Sequence, residues 1–177
     1  QVSIAGFSTG GAVALYQAMT KPGEFESLIS VSAPLKFKKF SAHFARPVNH
    51  WNRALRLLNA VTPLNTKRFG KEFATNHADN PHINYLRCPV SSIVEIQQLM
   101  KCVQKNISTI TTPALIIHGT GDPKVDVKSG RALFKLLPEG NKHYKEIDFH
   151  LHGIIRGDIA QRVFREVGLF LGLPKTA

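Results

Sequence analysis

Cysteine is scarce in this sequence. Cys88 and Cys102 are the only two cysteines among 177 residues. They are too few for a disulfide framework and lack the paired spacing of a zinc site. Two isolated cysteines are typical of small buried side chains in a reducing compartment. We therefore expect a cytoplasmic protein that needs no disulfide or zinc framework to fold.

Long hydrophobic runs are absent as well. Runs such as 114–117 are far shorter than the roughly 20 apolar residues that cross a bilayer. The first residues also lack the charged and apolar regions of a secretory leader. The sequence predicts no membrane span and no signal peptide. The sequence opens inside an apolar strand without an initiator Met, so a targeting segment upstream stays an open alternative.

Acidic residues are few. The chain has 12 Asp and Glu against 23 Lys and Arg, a formal net charge of +11. Such a balance is typical of nucleic-acid-binding proteins, but no nucleic-acid motif accompanies it, and we expect no nucleic-acid partner. A hydrophobic content of 43% can bury one sizeable core in a chain of this length. The sequence predicts a single domain over residues 1–177.

Short apolar runs alternate with helical patterns along the chain. Strands are predicted at 2–5, 27–32, 114–118 and 143–149. Helices are predicted at about 12–19, 129–137 and 158–171. This alternation predicts an α/β fold with a mostly parallel sheet and helices on both faces.

A long stretch, from about residue 36 to about residue 108, separates the second and third predicted strands. It is too long for a simple crossover and too apolar at helical spacing for a bare loop. We predict that it forms a helical cap inserted into the domain.

Residues 6–10, Gly-Phe-Ser-Thr-Gly, connect the first strand to the first helix. A serine hydroxyl becomes a good nucleophile only with a base that takes its proton and a hole that holds the oxyanion. Ser8 is expected in a strained turn, where glycines two positions before and after it let the chain pass closely. The backbone N–H of Thr9 would then donate to the oxyanion. An ordinary glycine-rich turn is the alternative.

Residues 6–15, GFSTGGAVAL, resemble the nucleophile elbow of the α/β-hydrolase superfamily. Residues 113–125, PALIIHGTGDPKV, resemble the strand and loop that carry the family's acid, which implies that role for Asp122. Residues 150–155, HLHGII, resemble the loop that carries its histidine, which implies His152.

The resemblance covers residues 1–35 and 113–171 and is greatest to bacterial carboxylesterases and monoacylglycerol-lipase-like enzymes. It implies a serine hydrolase that cleaves small-molecule carboxylic esters through an acyl-enzyme, without a metal or organic cofactor. An acyltransferase or thioesterase with the same triad is the first alternative. A non-catalytic binding module is the second, and a nucleic-acid binder, favoured only by charge, is the third.

Two site positions have competitors. Asp126 is an alternative acid, but an Asp directly after a strand and a small-residue turn is better placed to orient an imidazole. His150 has the same parity as His152 on an extended chain, and the choice of His152 rests on its Gly-Ile-Ile successor. We expect His118, at the end of a buried strand, to be a hydrogen-bonded structural histidine.

The sequence departs from the family pattern at its start. Members have several strands before the elbow, and a loop after an early strand supplies a second oxyanion donor. The chain has neither, so we expect either a fragment of a longer enzyme or a sheet that another chain completes. The strand at 2–5 would otherwise expose a hydrophobic edge.

The predicted cap is strongly cationic. Residues 36–71 contain no acid and nine cations: Lys36, Lys38, Lys39, Arg46, Arg53, Arg56, Lys67, Arg68 and Lys71. Two apolar stripes have helical spacing, one of Phe37, Phe40 and Phe44 and the other of Trp51, Leu55 and Leu58. We expect a lid over Ser8 that works at an anionic lipid surface. Alternatively, both stripes pack on the core and the cations face water.

Overall fold

The computed structural model describes residues 2–36, 44–61, 73–75 and 87–174. Its strands are β1 (Ser3–Phe7), β2 (Ser27–Val31), β3 (Phe73–Thr75), β4 (Arg87–Pro89), β5 (Ala114–Gly119) and β6 (Lys142–Ile147). Its α-helices are α1 (Thr9–Thr20), α2 (Ala45–Val61), α3 (Val90–Asn106), α4 (Lys128–Leu136) and α5 (Ile159–Phe170), and a short 3₁₀ turn, Ile107–Thr109, follows α3.

The main sheet has four parallel strands in the order β1-β2-β5-β6. Every residue of β2 and β5 is buried, as expected for strands covered on both faces. Because the strands are parallel, their carboxyl ends meet at one edge, where Phe7 pairs with Val31 and Val31 with Ile117. Within the described residues β1 pairs on one side only.

Helices cover both faces of this sheet. On one face the apolar side chains of α1, α4 and the end of α3 pack on β2 and β5, with Leu15, Val103, Ile116 and Leu133 at the centre. On the other face α5 packs on the same strands, with Val163 as its most buried large apolar residue. The predicted α/β class, a parallel sheet flanked by helices, is confirmed.

The chain divides into two compact units. The first is Gln1–Lys38 with Leu99–Ala177, and the second is Lys39–Gln98. The insertion predicted at about 36–108 thus overlaps the second unit, but the last turns of α3 belong with the sheet, because Val103 and Ile107 are part of its core. That the second unit is a cap stays a prediction.

The second unit has a small core of its own. Ala45 of α2 packs with Val90 and Val94 of α3, and β3 pairs antiparallel with β4. In the part of the chain that the structure describes, no helix is both long and apolar enough to cross a membrane.

Candidate active site

Ser8 occupies a strained turn between β1 and α1. Its backbone has φ 55° and ψ −124°, a region that non-glycine residues rarely adopt. The Ser8 N–H donates to the Val31 carbonyl over 2.8 Å, which ties the turn to the end of the neighbouring strand. This tie holds the Ser8 backbone in the unfavourable conformation.

The glycines around Ser8 have unequal roles. A Cβ at Gly6 would overlap the Gly10 carbonyl, and one at Gly11 would lie 3.0 Å from the side chains of Ser30 and Ala33. At Gly10 the same atom would meet no described atom within 4 Å. The close passage expected of both Gly6 and Gly10 is therefore found at Gly6, whereas the second tight position is Gly11.

Asp122 lies in the loop after β5, and its residue is only 1% exposed. The backbone N–H groups of Lys124 and Val125 donate to its Oδ1 over 2.8 and 3.0 Å. Burial acts to raise the pKa of this carboxyl, but the hydrogen bonds from His152, Val125 and Lys124 outweigh burial and hold the pKa below its ordinary value. Asp122 is therefore a carboxylate at neutral pH.

His152 joins the two other predicted site residues. Its Nδ1 lies 2.6 Å from Oδ2 of Asp122, and its Nε2 lies 2.7 Å from Oγ of Ser8. Because a carboxylate only accepts hydrogen bonds, we assign the proton to Nδ1, which leaves Nε2 to accept from the Ser8 hydroxyl. The imidazole is almost fully buried, with 9% of its side chain exposed.

The two competing residues are engaged elsewhere. Asp126 accepts a hydrogen bond from the backbone N–H of Lys128 over 3.0 Å, a local turn at the start of α4. His150 is exposed, and its ring lies against that of Phe149. The structure brings Asp122 and His152 to Ser8. Their catalytic roles stay predictions.

The loops that carry Asp122 and His152 are bound to each other. Thr120 donates from its backbone N–H to Ile147 and from its hydroxyl to Asp148. The Gly121 N–H donates to Phe149 over 2.9 Å. These bonds continue the pairing of β5 and β6 beyond the strands. They hold the two loops in a fixed position relative to each other.

One contact was not anticipated from the sequence. The ring of Phe7, the residue before Ser8, packs against the His152 imidazole with 5.0 Å between the ring centroids and 38° between their planes. The only signal for it was an aromatic residue inside the elbow, and nothing in the sequence indicated which ring it would meet.

His118 is fully buried, as expected, but neither ring nitrogen makes a hydrogen bond of ordinary geometry with a described residue. The Val125 backbone nevertheless acts on the ring as a hydrogen-bond partner, so the expected hydrogen-bonded role stays a prediction. Burial lowers the pKa of His118, against the opposing effects of the Asp122 carboxylate and the Val125 backbone. The His118 ring packs against α4. A Cβ added to Gly130, a residue of that helix, would lie 3.0 Å from Nδ1 of His118.

Thr9 is the first residue of α1. The first N–H groups of a helix have no carbonyl within the helix to bind, so they are available to an anion. Among the described residues, no group of three or more His, Cys, Asp and Glu side chains could hold a metal ion.

A family model described as serine aminopeptidase, S33 (Hydrolase_4) matches residues 1–158. A search of curated protein sequences gives no match.

Solved structures of lipolytic enzymes are similar to this chain. A monoacylglycerol lipase from Paleococcus ferrophilus aligns with a TM-score of 0.71 and 20% identity, over 94% of this chain and 66% of the lipase. A structure from the metagenome-derived lipolytic enzymes LipS and LipT gives 0.73 and 15%, over 95% and 64%. A soluble variant of monoglyceride lipase from Saccharomyces cerevisiae gives 0.65 and 17%, over 98% and 62%.

These likenesses establish the fold, and the chain spans about two thirds of the length of each of the three enzymes. The family model covers most of the chain and confirms the resemblance to α/β-hydrolases. The chain therefore belongs to the Hydrolase_4 family of serine aminopeptidase-like (S33) α/β-hydrolases.

Proposed function

We propose that this protein is a serine hydrolase that cleaves carboxylic esters, with Ser8 as nucleophile, His152 as base and Asp122 as the acid that orients the base. The observation that carries the proposal is the hydrogen-bonded row from Ser8 Oγ through His152 to Asp122, with distances of 2.7 and 2.6 Å. Such a row is the arrangement that activates a serine hydroxyl.

Each residue has one task in the reaction. Nε2 of His152 takes the proton of the Ser8 hydroxyl as Oγ bonds to the ester carbonyl carbon. The same proton then goes to the departing alcohol, which leaves an acyl-enzyme. Water, deprotonated by His152, attacks the acyl carbon and releases the acid and Ser8. Asp122 stays ionised throughout and stabilises the imidazolium, a role that its lowered pKa supports.

The oxyanion needs a donor at the point where negative charge develops. We assign this role to the backbone N–H of Thr9, which immediately follows the nucleophile at the start of α1. A fixed backbone donor stabilises the tetrahedral intermediate without reorganising, and one such donor is worth about 100-fold to 1000-fold in rate.

A second candidate for the cleaved bond is the amide bond that an aminopeptidase hydrolyses. The lipolytic enzymes among the structural neighbours favour an ester, whereas the family description names an aminopeptidase. The same nucleophile can attack either carbonyl. A series of p-nitrophenyl esters of increasing acyl length, compared with aminoacyl p-nitroanilides, separates the two, and faster turnover of the anilides would overturn the ester assignment.

The catalytic assignment is tested by covalent labelling of the full-length protein. A fluorophosphonate probe should modify Ser8, as mapped by peptide mass spectrometry. Ser8→Ala should lose both the label and ester turnover, by about a millionfold as for a triad serine in subtilisin. Ser3→Ala is the matched control and should keep both. Labelling elsewhere, or turnover by Ser8→Ala above a tenth of the wild-type rate, would refute the proposal.

We also propose that the second unit binds an anionic lipid surface. Helix α2 exposes the cations Arg46 and Arg53 beside Leu57, which is 71% exposed. The predicted stripe of Trp51, Leu55 and Leu58 is divided, because Leu55 is buried while the other two are exposed. Three further predicted members, Lys36, Phe44 and Arg56, are exposed. The others, Phe37, Lys38, Lys39, Phe40, Lys67, Arg68 and Lys71, lie outside the described residues.

Vesicle co-sedimentation tests this surface. Binding to anionic vesicles should fall at high salt and in an Arg46→Gln, Arg53→Gln variant, because each cation near an anionic surface contributes about 1 kcal/mol. The control removes two exposed cations of the first unit, Arg162→Gln and Arg165→Gln, and should bind as before. Equal binding to neutral and anionic vesicles would refute the lipid proposal and leave the hydrolase assignment intact.

A further inference from the structure

The His152 imidazole is anchored by two hydrogen bonds, one at each ring nitrogen. Nδ1 binds Asp122 and Nε2 binds Ser8, and the two bonds leave the ring in nearly opposite directions. They therefore resist sliding of the ring along the line from Asp122 to Ser8. They resist rotation of the ring about that line only weakly, because hydrogen-bond geometry tolerates some misalignment.

The backbone under His152 is also held. The Ile154 N–H donates to the His152 carbonyl over 2.9 Å, and the Ile154 side chain is completely buried in the core on the α5 face of the sheet. This anchor holds the main chain of the loop. The remaining freedom of the catalytic side chain is therefore the tilt of its ring.

Phe7 is the group in contact with the His152 ring that restricts this tilt. Its ring lies 5.0 Å from the imidazole, centroid to centroid, with 38° between the planes, which is within the usual range for interacting aromatic pairs. Phe7 is itself partly buried and packs on the cluster that contains Ile154. It is also the residue next to the nucleophile, so its position is set by the same turn that sets Ser8.

We propose that Phe7 is a positioning residue, which holds the His152 ring at the tilt that proton transfer from Ser8 requires. The proposal rests on the proposed hydrolase function. During the reaction the ring becomes an imidazolium, and an aromatic neighbour stabilises a cation electrostatically. Phe7 thus supports the base both by contact and by favouring its charged form, without touching the reacting atoms.

The alternative is that Phe7 only fills the core. A purely structural side chain lowers stability when shortened but leaves the chemistry of the remaining folded molecules unchanged. Phe170 provides the matched comparison, because it belongs to the same cluster and packs its ring edge-on against another histidine, His143. It makes no described ring contact with His152.

The experiment is the kinetics of fluorophosphonate inactivation on the full-length wild type and on Phe7→Leu, Phe7→Tyr and Phe170→Leu. The maximal inactivation rate should fall about tenfold in Phe7→Leu, while the probe concentration for half-maximal rate stays unchanged. Phe7→Tyr keeps the ring and should retain the rate within about twofold. Phe170→Leu should lower the melting temperature and leave the inactivation rate of the folded enzyme at the wild-type value.

Three outcomes overturn the positioning role. The first is wild-type inactivation by Phe7→Leu, and the second is equal loss in the Leu and Tyr variants. The third is a change confined to the half-maximal concentration, which would make Phe7 part of the binding pocket. All three are distinct from failure of the proposed function, in which the wild type itself is not labelled at Ser8 and both proposals fall.

Discussion

Gly121 lies so close to His150 that a Cβ added to Gly121 would be 2.8 Å from the His150 Cα and 3.1 Å from the Phe149 carbonyl oxygen. The obstacle is the backbone of residues 149 and 150, which cannot move aside as a flexible side chain would. The absence of a side chain at Gly121 therefore sets how closely the loop of Asp122 approaches the loop of His152.

Gly121→Ala should push these two loops apart. We expect ester turnover to fall about 100-fold, since a displacement of about 1 Å costs this much in a catalytic site, and stability to fall by about 1–3 kcal/mol. Gly168→Ala in α5 is the control, because a Cβ there meets no described atom within 4 Å. Steady-state kinetics and denaturant unfolding measure both effects, and an unchanged turnover in Gly121→Ala would contradict the expectation.

The two glycines that flank Ser8 give a second contrast. Gly6→Ala should distort the elbow, because its Cβ would overlap the Gly10 carbonyl, and Ser8 labelling should fall by about 100-fold or more. Gly10→Ala should leave labelling within about threefold and gain up to about 1 kcal/mol of stability in the helix. Similar behaviour of the two variants, in labelling and unfolding, would show that the elbow is less crowded at Gly6 than the structure indicates.

The strands and helices of the sheet were well predicted from periodicity. The predicted strand at 27–32 is observed at Ser27–Val31, and the predicted helix at 158–171 is observed at Ile159–Phe170. Apolar alternation and turn residues are local signals, so a single sequence carries them. The order of Ser8, Asp122 and His152 came from motif resemblance, since 144 positions separate Ser8 from His152.

The features that the sequence does not predict depend on tertiary contacts. The exchange of roles between Gly10 and Gly11 arises because Ser30 and Ala33, on another segment, crowd Gly11 alone. The contact of Phe7 with His152 joins residues that are far apart in the sequence, and no rule of residue spacing predicts it. The last turns of α3 pack on the sheet core, and the helical pattern of α3 does not show where its packing partners change.

The choice between the two acids can be tested directly. Asp122→Asn should lower kcat by about 10⁴-fold, because an amide holds the imidazole in the wrong tautomer. Asp126→Asn should retain most activity, since the amide oxygen of Asn can still accept the bond that Asp126 accepts from the Lys128 N–H. Kinetics on p-nitrophenyl esters compare the two variants, and the reverse ranking would assign the acid role to Asp126.

His118 should make the stability of the protein depend on pH. Burial is the largest influence on this ring and lowers its pKa from the ordinary value of 6.5, against opposing effects of Asp122, Val125 and Glu146. As the pH falls below about 6.5, the unfolded chain takes up a proton that folded His118 does not. The free energy of unfolding therefore falls with decreasing pH from this group, by at most about 1.4 kcal/mol per pH unit.

His118→Leu should flatten the dependence of the unfolding free energy on pH between about pH 7 and 5, whatever its effect on absolute stability, because the variant removes this proton uptake from the unfolded chain. Denaturant unfolding at a series of pH values measures the slope. Leu133→Met, a packing change in the core beneath α4, removes no titratable group and should shift the whole curve without changing its slope. A wild-type slope in His118→Leu would contradict this prediction. It would mean that the imidazole takes up a proton as easily in the folded protein as in the unfolded chain. Such easy uptake conflicts with its complete burial and with the absence of an ordinary hydrogen bond to a described residue.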